Sequence, residues 1–306
     1  MSKRPRARKI TDQVFAAVIR AFLRSPKWQG YASNTKDTWG RELRGMEDPD
    51  ALGALSVYDI RPALVQAFFD GNDGKQGKQE VGLKALKQLE RWAIVRDLLP
   101  HPITTGVEVP KSKEGHRPWR EEHVALAERY ATPRGFDRVI TLASNTGQRG
   151  SDLVRMRWTD IEVVDGRPGI NVVQEKTGLP LWVPFPQALI AALETWERSP
   201  GPILRRQNGK PWTRKQLSSE WVLVRNRVPE LKPLADLGLT LHGLRATACI
   251  RLSRAGVTTR GIASLVGMHE KQVALYCRFS EQRENAMAAL LHLENFRGRQ
   301  VIDNKG

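Results

Sequence analysis

Leu241-His242-Gly243-Leu244-Arg245 is followed, 31 residues after its arginine, by the tyrosine of Val266-Gly267-Met268-His269-Glu270-Lys271-Gln272-Val273-Ala274-Leu275-Tyr276. His242 and Arg245 are three apart, so a helix puts both on one face, where an imidazole and a guanidinium fork can hold a single phosphate. A tyrosine can then attack that phosphate. Taken alone the pattern is modest, because His-x-x-Arg arises by chance in basic proteins and a single tyrosine usually packs in a core.

The sequence upstream adds further members to the set. Residues 144 to 161 read Ser-Asn-Thr-Gly-Gln-Arg-Gly-Ser-Asp-Leu-Val-Arg-Met-Arg-Trp-Thr-Asp-Ile, with Arg149 after a Thr-Gly turn and Asp152 placed to orient it. Ile170 to Val173 and Leu181 to Val183 are apolar runs on either side of Gln-Glu-Lys-Thr-Gly, a hairpin pattern with Lys176 near its tip. Lys210, in the turn Gly209-Lys210-Pro211-Trp212, is the rival lysine.

The order Arg, Lys, His-x-x-Arg, Tyr over residues 144 to 280 resembles the tyrosine recombinase (phage integrase) family. The resemblance implies two phosphate-binding arginines, Arg149 and Arg245, a hairpin lysine, Lys176, a histidine, His242, and a tyrosine nucleophile, Tyr276. It also implies a second histidine or a tryptophan near His269. Here the sequence departs from the family's Gly-His pattern: Gly267 is followed by Met268, and His269 lies only seven residues before Tyr276. Either His269 enters the pocket, or Met268 packs in its place.

Composition agrees with a polyanionic partner. The chain has 49 Lys plus Arg against 33 Asp plus Glu, a formal charge of +16, which points to nucleic acid over a merely solvated surface. Its 306 residues suffice for two domains. No apolar run approaches the ~20 residues of a membrane span, and the start, Met-Ser-Lys-Arg-Pro-Arg-Ala-Arg-Lys, lacks the apolar core of a signal peptide, so a cytoplasmic protein is expected. Cys249 and Cys277 are the only cysteines, which implies neither a structural metal nor a disulfide. No Gly-x-x-x-x-Gly-Lys-Ser/Thr loop and no carboxylate cluster for paired Mg²⁺ ions is evident, so no cofactor is expected.

The predicted fold is mainly α with a small β-sheet. Residues 1–9 form a basic tail. Residues 10–100 read as four helices: one from Asp12 to about Ser25-Pro26, one from Ser33, one from about Val57 to Phe69, and one over 77–98. Residues 101–118, rich in Pro, Gly and charge, read as a tether, and 119–306 as a mixed α/β domain. In that domain helices are predicted over Trp119–Tyr130, Asp137–Asn145, Pro186–Arg198, Ser218–Arg227, Leu241–Ala255 and Glu270–Phe279, with a short one from Thr258 or Thr259 to Gly267 and a last one near 281–296. The nine tryptophans sit mostly at helical apolar spacing and read as core. In the resembled family the first domain is a core-binding DNA clamp, the second is catalytic, and the last helix docks protomers into a tetramer on synapsed DNA.

The resemblance also assigns chemistry. Two guanidiniums stabilise charge on the non-bridging oxygens without a metal, Tyr276 forms a 3′-phosphotyrosyl bond that conserves energy for rejoining, His242 assists, and Lys176 protonates the leaving 5′ oxygen. A DNA-binding regulator on the same scaffold and a type IB topoisomerase are the alternatives.

Overall fold

The computed structural model describes residues 13–72, 76–110 and 116–278, together with 286, 287 and 290. The chain divides into two compact units at Gly115/His116. The predicted basic tail and most of the predicted helix near 281–296 lie outside the described residues; 286, 287 and 290 are helical.

The first unit is helical. Helix α1 (Phe15–Arg24) buries Phe15, Val18, Ile19 and Phe22 completely, as its three-and-four spacing requires. It stops because Ser25 is extended and Pro26 follows. The Ser25 hydroxyl donates to Phe22 O and accepts from Trp28 N, capping the one-turn α2 (Pro26–Gln29). Helix α3 (Ser33–Glu47) sets Leu43 and Met46 into the same core. Helix α4 (Pro62–Asp70) starts later than the predicted Val57, because Pro62 is its first residue and holds Arg61 extended. Helix α5 (Gln76–Ile94) ends before residue 98, where Asp97 takes a left-handed φ of 54°.

Residues 101–109, read from sequence as tether, pack on this unit. Leu99, Ile103 and Val107 are buried in its core, and the Glu90 carboxylate of α5 accepts the N–H groups of Ile103 and Thr104, both at 2.6 Å. A Pro/Gly-rich segment with few apolar residues carries no period, so only a buried carboxylate across the fold shows that it docks.

The second unit mixes helices with one sheet. Helices α6 (Glu121–Tyr130), α7 (Phe136–Thr146) and the single turn α8 (Gly150–Leu153) lead into strands β1 (Ile161–Val164), β2 (Arg167–Val173) and β3 (Pro180–Pro184), antiparallel in that order. The predicted hairpin is β2–β3, with Ile170 opposite Val183 and Val172 opposite Leu181. Strand β1 is an addition: Asp165 and Gly166, with φ of 50° and 75°, make a two-residue turn of the kind that Asp-Gly favours.

Then come α9 (Gln187–Glu194), α10 (Arg214–Arg227), α11 (Lys232–Asp236), α12 (Gly243–Arg254), α13 (Thr259–Val266) and α14 (270–278). Helix α10 begins four residues before the predicted Ser218, because Thr213 and Gln216 form a reciprocal capping box. Helix α9 is shorter than predicted, ending at Glu194. Trp119, Phe136, Trp212 and Trp221 form the aromatic centre, with Trp119 stacked on Trp221 at 5.4 Å. All nine tryptophans are buried or half-buried. No described helix is long and apolar enough to cross a membrane.

Candidate active site

Arg245 lies in the first turn of α12 with 2% of its surface exposed. Such a guanidinium must spend its donors on protein acceptors. Nη1 donates to Gly147 O at 2.7 Å and Nη2 to Gly267 O at 3.0 Å. Both acceptors are left-handed glycines that end helices, Gly147 after α7 and Gly267 after α13. The two helix ends thus form a cradle that fixes the guanidinium. Burial, and then the neighbouring Arg149, lower its pKa to about 10, so it stays charged at neutral pH.

Arg149 is the N-cap residue of α8, half-buried. The sequence reading gives it Asp152 as orienting partner, and the structure corrects this. The Arg149 Nη1 donates instead to Gln174 Oε1 at 2.8 Å, while Asp152 Oδ1 accepts the backbone N–H of Glu175 at 2.9 Å. Asp152 is buried and sits a turn further on, where its carboxylate faces the base of the β2–β3 hairpin. It therefore acts on the hairpin; it also adds a nearby negative charge for Arg245.

His242 is the N-cap of α12, in helical conformation, so it and Arg245 do share one end of the helix. Its ring packs edge-on against His116, with centroids 4.5 Å apart, and His116 Nδ1 bonds the Thr240 hydroxyl at 2.9 Å. Burial, followed by the charges of His116, Arg245, Arg149 and Arg214, pushes the His242 pKa down to about 4. At neutral pH this imidazole is neutral. The strap that carries His116 is seated tightly: a Cβ on Gly243 would lie 2.2 Å from Arg117 O, and Trp119 N donates to Thr247 Oγ1 at 2.7 Å.

Tyr276 projects from α14, half-buried, and packs against the small core of Cys249, Ile262, Val266, Val273 and Cys277, as Met268 and Leu252 also do. Burial raises its pKa, opposed first by Arg245 and more weakly by Gln272 and Arg149. The same two arginines therefore act on both His242 and Tyr276. Arg149, His242, Arg245 and Tyr276 are brought together; Lys176 and His269 are placed otherwise. Lys176 is exposed in the hairpin turn, and its ammonium has no hydrogen-bond or ion-pair partner among the described residues. Lys210 is exposed in a separate turn closed by the Arg206 N–H to Lys210 O bond. His269 is exposed, and its Nδ1 accepts the Lys271 N–H at 3.2 Å at the start of α14, whereas Met268 packs in the cluster with Tyr276. Met268 therefore takes the inward position.

Three residues absent from the sequence reading join the site. Gln174 binds Arg149, His116 packs on His242, and Arg214, the first residue of α10, depresses both histidines. Gln174 alone carried a signal, since it continues the inward parity of Ile170 and Val172 as a polar residue. Burial pushes the Cys249 thiol up to about 12, leaving it inert, and the Cys277 thiol donates to Cys249 O. Among the described residues no group of His, Cys, Asp and Glu is arranged to hold a metal. Two guanidiniums, a neutral imidazole and a phenol are groups that can together hold a tetrahedral oxyanion.

The architecture has known counterparts. A lambda integrase dimer bound to a COC' core site superposes with a TM-score of 0.74 at 18% identity, covering 87% of this chain and 78% of that one. A lambda integrase tetramer bound to a Holliday junction gives 0.71 at 17%, covering 86% and 78%. The Tn1549 transposon integrase in complex with a circular intermediate DNA gives 0.66 at 15%, covering 85% and 94%. At these identities the likeness shows the fold. No curated protein matches the sequence. The phage integrase family matches residues 125–282, more than half of the chain and all of the positions just described from Arg149 to Tyr276, and the chain belongs to that family of tyrosine recombinases.

Proposed function

We propose that the protein is a site-specific DNA recombinase that cleaves and rejoins duplex DNA through a covalent 3′-phosphotyrosyl intermediate, acting in the cytoplasm. The observation that carries the proposal is the convergence of Arg245 and Arg149 on Tyr276, with Arg245 locked by two backbone carbonyls. Attack of the phenolic oxygen on phosphorus gathers negative charge on the non-bridging oxygens. Guanidiniums already in place stabilise that charge without reorganising. They also favour the phenolate, which burial alone would suppress.

His242, neutral in the free site, is able to take a proton or to hydrogen-bond the phosphate. Arrival of the phosphate's negative charge raises its pKa and so strengthens it as an acceptor. The phosphorus–oxygen bond to the 5′ side breaks as the tyrosyl bond forms, and the leaving oxygen takes a proton. The exposed Lys176, on a turn that DNA can order, is assigned that proton. Attack by a 5′ hydroxyl reverses the sequence and releases Tyr276, so neither nucleotide hydrolysis nor a metal is required.

The chain's +16 charge and the DNA in the related integrase structures support duplex DNA as the substrate, with the first unit contributing DNA contacts of its own. The tetrameric lambda integrase on a Holliday junction supports assembly of four protomers; the segment proposed to link them, near 281–296, lies outside the described residues save 286, 287 and 290. The test is incubation of the full chain with a random-sequence pool of nicked duplexes. A denaturant-resistant adduct through a 3′ phosphate is expected, and Tyr276→Phe should abolish it while leaving DNA binding intact. DNA binding without an adduct in the wild type would favour a regulator, and relaxation of supercoils without strand exchange a topoisomerase.

A further inference from the structure

We infer that Gln174 is a positioning residue of the site, whose amide holds Arg149, the Lys176 turn and the Arg245 cradle in one arrangement. The inference rests on the recombinase reading above and goes beyond it. Gln174 follows β2 on the inward side, in line with Ile170 and Val172, where parity asks for an apolar residue. It is completely buried. An isosteric hydrocarbon would pack there without any polar group to satisfy, so the amide needs a reason.

Its hydrogen bonds supply one. Oε1 accepts from Arg149 Nη1 at 2.8 Å and from the Thr177 hydroxyl at 3.0 Å. Nε2 donates to Gln148 Oε1 at 3.2 Å and to Val266 O at 3.1 Å. Two acceptor and two donor positions are all used, the full capacity of a primary amide. The partners are not random neighbours. Thr177 adjoins Lys176 in the turn, and Val266 immediately precedes Gly267, whose carbonyl holds Arg245. Gln148 closes the circuit by donating to Thr146 O and Val266 O.

Neutrality matters as much as geometry. A carboxylate at this position would bind Arg149 more strongly, but it would neutralise the guanidinium and face the Val266 carbonyl with an acceptor. The amide fixes one Nη donor and leaves the positive charge and the remaining donors for an incoming anion.

The experiment is a double-variant comparison in the full chain, with single-turnover cleavage of a nicked duplex, DNA binding and thermal unfolding measured in parallel. Gln174→Met keeps the volume and removes the acceptor. It should slow cleavage about 10- to 100-fold, the range for a hydrogen bond to a charged group, with DNA binding within about threefold of wild type. In an Arg149→Ala background the same change should cost less than about threefold, because its effect runs through Arg149. Unslowed cleavage by Gln174→Met, or losses that multiply in the double variant, would overturn the inference. If Gln174→Met does not fold, Gln174→Glu takes its place, and a wild-type rate there overturns it equally. An activity-independent readout separates this inference from the recombinase reading. The Arg149 guanidinium should give a slowly exchanging NMR resonance that Gln174→Met abolishes. Its loss in a protein that forms no adduct would sink recombination and leave the positioning role standing; its persistence would sink the positioning role.

Discussion

Replacing Gly267 by alanine tests the cradle and the amide together. Gly267 has a φ of +62°, and a Cβ there would stand 2.3 Å from Gln174 Nε2, 2.3 Å from Leu181 Cδ1 and 2.8 Å from Gln174 Cδ. The left-handed backbone costs an L-residue about 1–2 kcal/mol. Relieving the overlap means moving an amide tied by four hydrogen bonds, and overpacking of that kind costs about 1–3 kcal/mol more. The sum, about 2–5 kcal/mol, corresponds to a fall of roughly 4–20 °C in Tm for a unit of this size. Gly238 is the control, since its φ is +63° and nothing lies within 4 Å of its would-be Cβ, so Gly238→Ala should cost only the backbone share. Thermal unfolding by circular dichroism measures both. Cleavage should fall for Gly267→Ala alone, because the shift displaces Gln174 from Arg149 and the 267 carbonyl from Arg245. Equal losses of stability in the two variants would refute the packing derived for this loop.

Arg245→Ala should slow strand cleavage by about 3 kcal/mol of barrier, the scale of one preorganised oxyanion donor, in single-turnover assays; near-normal cleavage would remove it from the mechanism. Because it also leaves the Gly147 and Gly267 carbonyls without their donor, it should destabilise the fold, unlike the less buried Arg149. His242, with its pKa pushed down to about 4, stays neutral in the fold while the unfolded chain protonates near 6.5, so the unfolded state binds more protons as pH falls. Stability should therefore decline from about pH 6.5 towards 4, and Tm-against-pH curves should be flatter for His242→Asn; unchanged curves would contradict the buried neutral imidazole. His269→Ala should leave single-turnover cleavage within about twofold and cost stability no more than the ~1 kcal/mol of a lost cap, whereas a tenfold slower cleavage would return His269 to the site.

The sequence alone carried the helical class, the β2–β3 hairpin and the ordered set from Arg149 to Tyr276, because helix periodicity, strand alternation and motif order are local or one-dimensional properties. Strand β1 was not among the predicted elements, although the Asp165-Gly166 turn that joins it to β2 is an equally local signal. The partners of those residues were not legible. Asp152 stands three positions from Arg149 and so invites a pairing, yet the hairpin delivers Gln174, from 25 positions away, to the guanidinium and leaves Asp152 to hold Glu175. His116 looked like linker and lies against His242, 126 positions further on. Met268 and His269 are neighbours whose roles depend only on which way a helix start turns, and the capping of α14 by His269 turns Met268 inward. Tertiary structure decided these matters because a hydrogen bond depends on distance in space, and chain folding sets that distance independently of separation in sequence.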